Sequence, residues 1–406
     1  MTATDARQAP TASQVQAATR ATYAAFIGAG FAFASWASRI PQVRTRLELD
    51  PSALGLVLLA TAAGSVIALP LSGSLVHRAG SRRTVTAMSL LLTVSLAVIA
   101  AGSVTGVPLL VVGLFLMGFS NGAWDVAMNV QGAVVERHLG RSIMSRFHAG
   151  FSLGTVAGAG LGAAMIAFDV PVPTHLLGVA VLLGVAVPLA VRPFVPDVAD
   201  EDDDETTSRG TGSGALSAWR EPRTLLIGVV VLAFAFAEGA ANDWLSVAFI
   251  DGHGTSAVVG TLGYAVFLVA MTAVRWAGPP LLDRWGRVPM VRVLAALSIA
   301  GLLLFVFGAH PAAAFAGALL WGAGAALGFP VGMSAAADDP ARAAGRVSVV
   351  ASIGYCAFLG GPPLIGVLGQ HVGVLRALTV VAVLIVVATA IAGSLRPPAE
   401  APQREV

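Results

Sequence analysis

The sequence predicts an all-α membrane protein with twelve transmembrane helices arranged as two six-helix, pseudo-symmetric halves. Three observations lead there. Of 406 residues, 56% are hydrophobic and only 11% charged, with a mean hydropathy of +0.81, a balance that soluble globular domains do not have. A helix-length hydropathy window returns twelve apolar segments, each long enough to cross a bilayer. One charged loop pattern also occurs twice, once in each half of the chain.

The segments fall at about residues 21–40, 53–76, 84–103, 107–135, 147–168, 174–194, 224–250, 257–281, 289–308, 311–336, 345–369 and 373–394. Residues 1–20 read as a polar cytoplasmic tail, 21–194 as the N-terminal half, 195–223 as a linker, 224–394 as the C-terminal half and 395–406 as a second cytoplasmic tail. The first segment is followed by no cleavage-site pattern and reads as a retained helix. The linker runs from an acidic stretch, Asp200 to Glu205, through Gly/Ser into a basic stretch, which is the composition of a solvated spacer.

All 24 basic residues are arginine. With both termini in the cytoplasm, 19 of the 24 lie at cytoplasmic ends, while Arg39, Arg44, Arg46 and Arg376 fall on the other face and Arg275 within a span. The positive-inside rule therefore sets that orientation. A pI near 9.2 then reflects topology in the bilayer and not affinity for nucleic acid. Cys356 is the single cysteine and sits in the eleventh segment, which excludes an intrachain disulfide and a thiolate metal cluster. No metal or other cofactor is expected. The chain carries no His-x-x-x-His or Cys-x-x-Cys pattern and no phosphate loop, which argues against a metalloenzyme or an ATP-driven pump.

The repeat is legible in "GSLVHRAGSRR" (Gly73 to Arg83) and "PPLLDRWGRVP" (Pro279 to Pro289), each in a cytoplasmic turn. Upstream, "FAFASWASR" (Phe31 to Arg39) matches "FAFAEGAAN" (Phe234 to Asn242), setting Ser35 against Glu238. Repeated membrane halves are a common construction for an alternating-access carrier. The loop resembles the signature of the major facilitator superfamily, Gly-x-x-x-Asp-Arg-x-Gly-Arg-Arg between the second and third helices, and the resemblance covers essentially the whole chain. It implies a cytoplasmic gate made of Gly73, His77, Arg78 and Gly80 in the first copy and Asp283, Arg284, Gly286 and Arg287 in the second. Its glycine would allow helix ends to approach closely, and its charges would change partners between states. The first copy departs from the pattern with His77 in place of the acid. A narrower resemblance, carried by "SWASRIPQVR", "DVAMNVQG", "RFHAGFSLG" and "IGYCAFLGGPPLIG", is to the fucose-permease-like branch and its bacterial inner-membrane members. Fucose permeases carry an acid in the first helix and this chain has none there, so the resemblance stops short of fucose itself.

In the fourth segment, Asn121, Asp125 and Asn129 advance by only ~40° per four residues and share one helix face. An ionisable group at membrane depth is costly unless it faces protein or water, so this strip is predicted to line a central cavity. Two readings of Asp125 stand. It binds a proton or a polar solute, with Asn121 and Asn129 supplying hydrogen bonds, or it is a buried structural acid held by a neighbour. Glu238, with Asn242 one turn on, mirrors it in the seventh segment. A desolvated carboxylate holds a proton more tightly, which would let a proton travel with the solute. A fixed ion pair with Arg275 competes with that role, and for Arg275 pairing ranks above binding of an anionic solute.

Tyr355 and Trp36 are candidates to stack on a sugar-like ring, against the plainer reading as packing residues. His148 reads as a packed or capping residue with a relay as the sharper alternative, and Asp243 and Glu136 read as gate or solvated charges near helix ends. Gly154, Gly158 and Gly162 have the spacing of close helix packing. Pro330, Pro362 and Pro363 mark expected kinks. The reading is a monomeric secondary transporter of a small polar organic solute, coupled to protons. The alternative is an efflux antiporter for drugs or a secreted metabolite, families that typically carry an arginine early in the fourth helix and a Gly-Pro pair in the fifth. Leu114 and the Gly158-Ala159 pair stand at those positions here.

Overall fold

The computed structural model describes residues 10–140, 143–197, 217–339 and 342–397. The outer parts of both tails, the acidic run from Asp200 to Glu205, most of the linker and Arg141 lie outside the described residues. Among the described residues every regular element is a helix: α1 (Ala12–Ala37), α2 (Ile40–Arg46), α3 (Pro51–Ala79), α4 (Ser81–Thr105), α5 (Val107–Leu139), α6 (Met144–Ala167), α7 (Val172–Ala190), α8 (Pro222–His253), α9 (Ala257–Trp285), α10 (Arg287–Phe307), α11 (Pro311–Ala325), α12 (Gly328–Ala336), α13 (Ala343–Val372), α14 (Val374–Ala377) and α15 (Thr379–Ile391), followed by a 3-10 turn at Ala392–Leu395.

Eleven stretches among the described residues are long and apolar enough to cross a membrane. The 26-residue α1, which holds most of the predicted first segment, is long enough but less apolar, because it begins in the polar Ala12–Arg20 stretch. Large apolar side chains such as Leu56, Val181 and Phe307 stand on the surface at 62%, 65% and 66% exposure. So much exposed apolar surface fits a lipid surround and not water.

Two predicted segments are remodelled. The first ends at Ala37, and "SRIPQVR" turns into the short α2, with Pro41 in its first turn. The tenth divides into α11 and α12 at Ala326–Leu327. Pro330 lacks the N–H that would close a bond to the Ala326 carbonyl four residues back, so the helix breaks just upstream of the proline. By contrast α13 stays helical through Pro362 and Pro363.

Contacts divide the chain into two units. One holds the chain through Trp36, Ala60–Gly158 and the stretch from Val170 to the end of α7; the other holds Ala37–Leu59, Ala159–Asp169 and the chain beyond the linker. Lipid removes the hydrophobic drive between helices, so small residues that let backbones touch carry the packing. In the first unit, a Cβ on Gly154 would stand 2.1 Å from the Ile27 carbonyl oxygen and one on Gly158 2.5 Å from that of Phe31, which is why α6 lies directly on α1. Gly162 continues the strip within the second unit, where a Cβ would meet the Ser38 hydroxyl at 2.0 Å. In that unit α2 is tied to α8 by the Arg44–Asp251 ion pair.

The two loop copies share one backbone device. Gly80 and Gly286, at equivalent repeat positions, hold φ of 79° and 78° between successive helices, a conformation that costs a residue with a Cβ. Gly73 does not make the close approach expected of it, since a Cβ there would meet open space. The glycine requirement of the signature rests on its second glycine.

Candidate functional site

In the first unit, α5 carries the polar strip. Trp124 is fully buried, and that large indole fixes the rotation of the helix. Asp125, one residue and ~100° further round, is thereby turned to the half-buried side with Asn121 and Asn129. Asn129 Nδ2 donates to the Asp125 carbonyl at 2.8 Å and to its carboxylate at 3.2 Å. Asn121 Oδ1 is buried with no partner among the described residues, an acceptor left for a donor from elsewhere. The carboxylate has no cationic partner among the described residues. Trp36 is buried at 4% exposure, a packed position instead of a ring-stacking one. His148 stands edge-on to Phe26 at 5.1 Å, beside the Phe26–Phe147 stack.

In the second unit, the charges predicted to compete for one another are paired. Arg275 Nη2 donates to Glu238 Oε2 at 2.8 Å, and Arg275 Nε donates to the Ala326 carbonyl at 3.2 Å. Tyr264 Oη donates to Asn242 Oδ1 at 3.0 Å. Tyr355 lies 6.2 Å from Phe358, whose ring edge is 3.3 Å from where a Cβ on Gly239 would sit. Glu238, Gly239, Asn242 and Asp243 form one half-buried strip along α8.

Asp243 differs from its sequence reading. Because α8 runs on to His253, it lies ten residues inside the helix end, about 15 Å, and not beside it. It has no hydrogen bond or ion pair among the described residues. Trp244, fully buried, turns this acid onto the half-buried side of α8, as Trp124 does Asp125 on α5.

On the arginine-rich side the second unit builds a network that sequence reasoning did not assign. Asp338 receives Arg287 Nη1 at 2.6 Å and Arg223 Nη2 at 2.8 Å. Arg223 also donates to the carbonyls of Ser394 and Arg396 at 3.1 and 2.9 Å. Glu221 receives Arg346 at 2.6 Å and Arg342 at 3.3 Å, and the Arg346 guanidinium holds its carboxyl below the usual glutamate range. Asp283 and Arg284 are exposed and have no partner among the described residues, so within this unit the signature's pairing runs through Arg287. In the first unit His77 and Arg78 are also exposed and without partners among the described residues. There the acid comes from Asp197, whose carboxylate accepts the Ser81 N–H at the start of α4. Gln131, with its amide turned to suit, bonds both backbone groups of Val195 at 3.0 and 3.2 Å. The adjacent acids of "ADDPAR" between two apolar segments were the available sequence signal for Asp338; Asp197 had none.

A helical membrane fold with repeat-related loops and polar strips within its spans is the arrangement of a solute transporter. The profile of the Major Facilitator Superfamily matches residues 21–359, and the chain belongs to that family. It is 35% identical over 353 residues to the uncharacterized transporter y4wD of Sinorhizobium fredii, covering 86% of this chain and 91% of that one. It is 30% identical to an uncharacterized MFS-type transporter of Yersinia pestis, covering 85% and 87%, and 30% identical to the membrane protein MosC of Rhizobium meliloti, covering 89% and 86%. The crystal structure of the nucleoside transporter NupG has the same fold, with a TM-score of 0.72 at 14% identity over 93% of this chain and 98% of that one. The protein is thus a multi-pass membrane transporter with bacterial relatives.

Proposed function

We propose that this transporter is a monomeric secondary carrier that moves a small polar organic solute, sugar-like in its hydroxyl and amide chemistry, across the bacterial inner membrane with both termini in the cytoplasm. It works by alternating access and draws on a proton gradient. The observation that carries the reading is the α5 strip: among the described residues, a carboxylate at membrane depth is bonded only to Asn129, beside a buried Asn121 acceptor with no partner. Such a strip offers a proton site next to unmet hydrogen-bonding capacity for a solute. Glu238 is the second coupling candidate and exchanges between Arg275 and a proton during the cycle. Asn242, Tyr355 and Arg275 line the matching strip of the second half. Nucleosides join the solutes to be screened because the fold is shared with a nucleoside transporter.

The test is transport in proteoliposomes, screening sugars, polyols and nucleosides with and without an imposed proton gradient, for wild type, Asp125→Asn and Glu238→Gln. Gradient-driven accumulation that disappears in Asp125→Asn while counterflow exchange persists assigns coupling to that carboxylate. Unchanged accumulation in both variants makes the two acids structural and overturns the coupling. Accumulation outward along an imposed gradient would favour the efflux reading.

A further inference from the structure

In the first unit, α4 and α7 meet at Thr93, whose hydroxyl shares its proton between the Ser89 carbonyl at 2.9 Å and the Ala180 carbonyl at 3.2 Å, and at Gly184, where a Cβ would stand 2.6 Å from the Thr93 oxygen. That contact pins the two helices together. Nearer their arginine-rich ends a surface groove of about 470 Å³ opens between them. It is lined by Leu90, Ala87, Pro188 and Thr86 and by the three arginines Arg82, Arg83 and Arg192. Leu90 and the neighbouring Leu189 are 48% exposed, so the groove opens on the lipid-facing surface.

The three guanidinium groups are exposed, and none has a hydrogen bond or ion pair among the described residues. The reason lies in the sequence. His77 stands where the loop signature has an acid, and the nearby carboxylate of Asp197 is held by the Ser81 amide. Arg287, at the position equivalent to Ser81, shows the contrasting outcome in the second unit, where it is bound to Asp338. The Thr86 hydroxyl is engaged with the Arg82 carbonyl at 2.8 Å, so the polar capacity of the groove is cationic.

We infer that this groove is a binding site for an anionic phospholipid of the cytoplasmic leaflet, with its phosphates on Arg82, Arg83 and Arg192 and an acyl chain along Leu90, Ala87 and Pro188. A guanidinium fork matches two phosphate oxygens. A basic pocket between transmembrane helices on the cytoplasmic side is the setting in which such headgroups bind. Three unmatched positive charges suit a headgroup with two phosphates, such as diphosphatidylglycerol, better than one with a single phosphate. The site is separate from the polar strips of α5 and α8 and does not depend on the solute or on coupling.

The experiment uses the full-length protein purified in a neutral detergent. Diphosphatidylglycerol, zwitterionic phosphatidylcholine or inorganic phosphate is added, and thermal stability and lipid-bound species by native mass spectrometry are read. Diphosphatidylglycerol is expected to raise the melting temperature and remain bound, whereas phosphatidylcholine and phosphate do neither. The triple variant Arg82→Gln/Arg83→Gln/Arg192→Gln should weaken diphosphatidylglycerol binding by about 100-fold. A control triple, Arg20→Gln/Arg220→Gln/Arg292→Gln, removes the same charge elsewhere from exposed side chains without partners and should leave binding within about twofold of wild type. Equal stabilisation by phosphatidylcholine, equal loss in both triples, or retained binding in the groove variant would overturn the site. Stabilisation by inorganic phosphate alone would reduce it to a phosphate site and overturn the lipid assignment.

Discussion

Arg275 joins Glu238 on α8 to Ala326 at the break between α11 and α12, with bonds of 2.8 and 3.2 Å from one guanidinium. Pro330 cannot donate to the Ala326 carbonyl, and Arg275 Nε supplies the missing donor. One side chain thus neutralises a membrane carboxylate and caps a broken helix. Removing it leaves both an unpaired charge and an orphan carbonyl, so Arg275→Leu should cost about 3 kcal/mol. Glu238→Gln keeps the helix cap and should cost less. Denaturation melts of the single and double variants in detergent would show strong non-additivity. Additive losses would mean the pair is not energetically linked.

Asp243 presents the opposite case. It spends desolvation energy without a partner among the described residues, so its neutralisation removes a cost. Asp243→Asn should therefore match or exceed wild type in thermal stability. Since evolution retains destabilising polar groups chiefly where activity needs them, solute accumulation should fall at the same time. A clear loss of stability in Asp243→Asn would show that the acid has a structural partner.

The Glu221–Arg346 pair predicts a pH signature. Arg346 depresses the folded-state pKa of Glu221, so the unfolded state binds its proton first. The stabilisation is complete above the ordinary glutamate pKa of ~4.3 and is lost as pH falls through the lower folded value. Arg346→Gln should reduce stability at neutral pH, and its difference from wild type should shrink in acid below ~4. A difference independent of pH would assign the loss to packing.

Glycines separate by what surrounds them. A Cβ on Gly118 would stand 1.8 Å from the Thr61 carbonyl oxygen, whereas one on Gly178 meets nothing within 4 Å. Gly118→Ala should therefore push α3 from α5, break the Ser65–Gly118 bond of 3.0 Å and cost about 3 kcal/mol or more. Gly178→Ala should stabilise by up to ~1 kcal/mol through helix propensity. Melting temperatures of the two variants would differ in sign relative to wild type.

The sequence by itself determined the membrane class, the apolar segments, the repeat and the polar strip of α5. These follow from local pattern: hydropathy over a helix length, arginine position, and a four-residue spacing that any α-helix converts into one face. The glycine ladder of α6 was legible for the same reason, because only a missing side chain permits contact at that spacing. Whether Glu238 was free or paired was not legible, since the partner lies 37 residues away on another helix. The placement of Asp243 depended on where α8 ends, and helix ends are set by caps and neighbours more than by composition. Asp197 was invisible as a partner because a lone carboxylate in a loop carries no pattern, and the adjacent acids of "ADDPAR" marked Asp338 as a loop charge without naming what it binds. Only tertiary structure decided that one caps α4 and the other holds Arg287 and Arg223, since those bonds depend on distances that chain spacing does not encode.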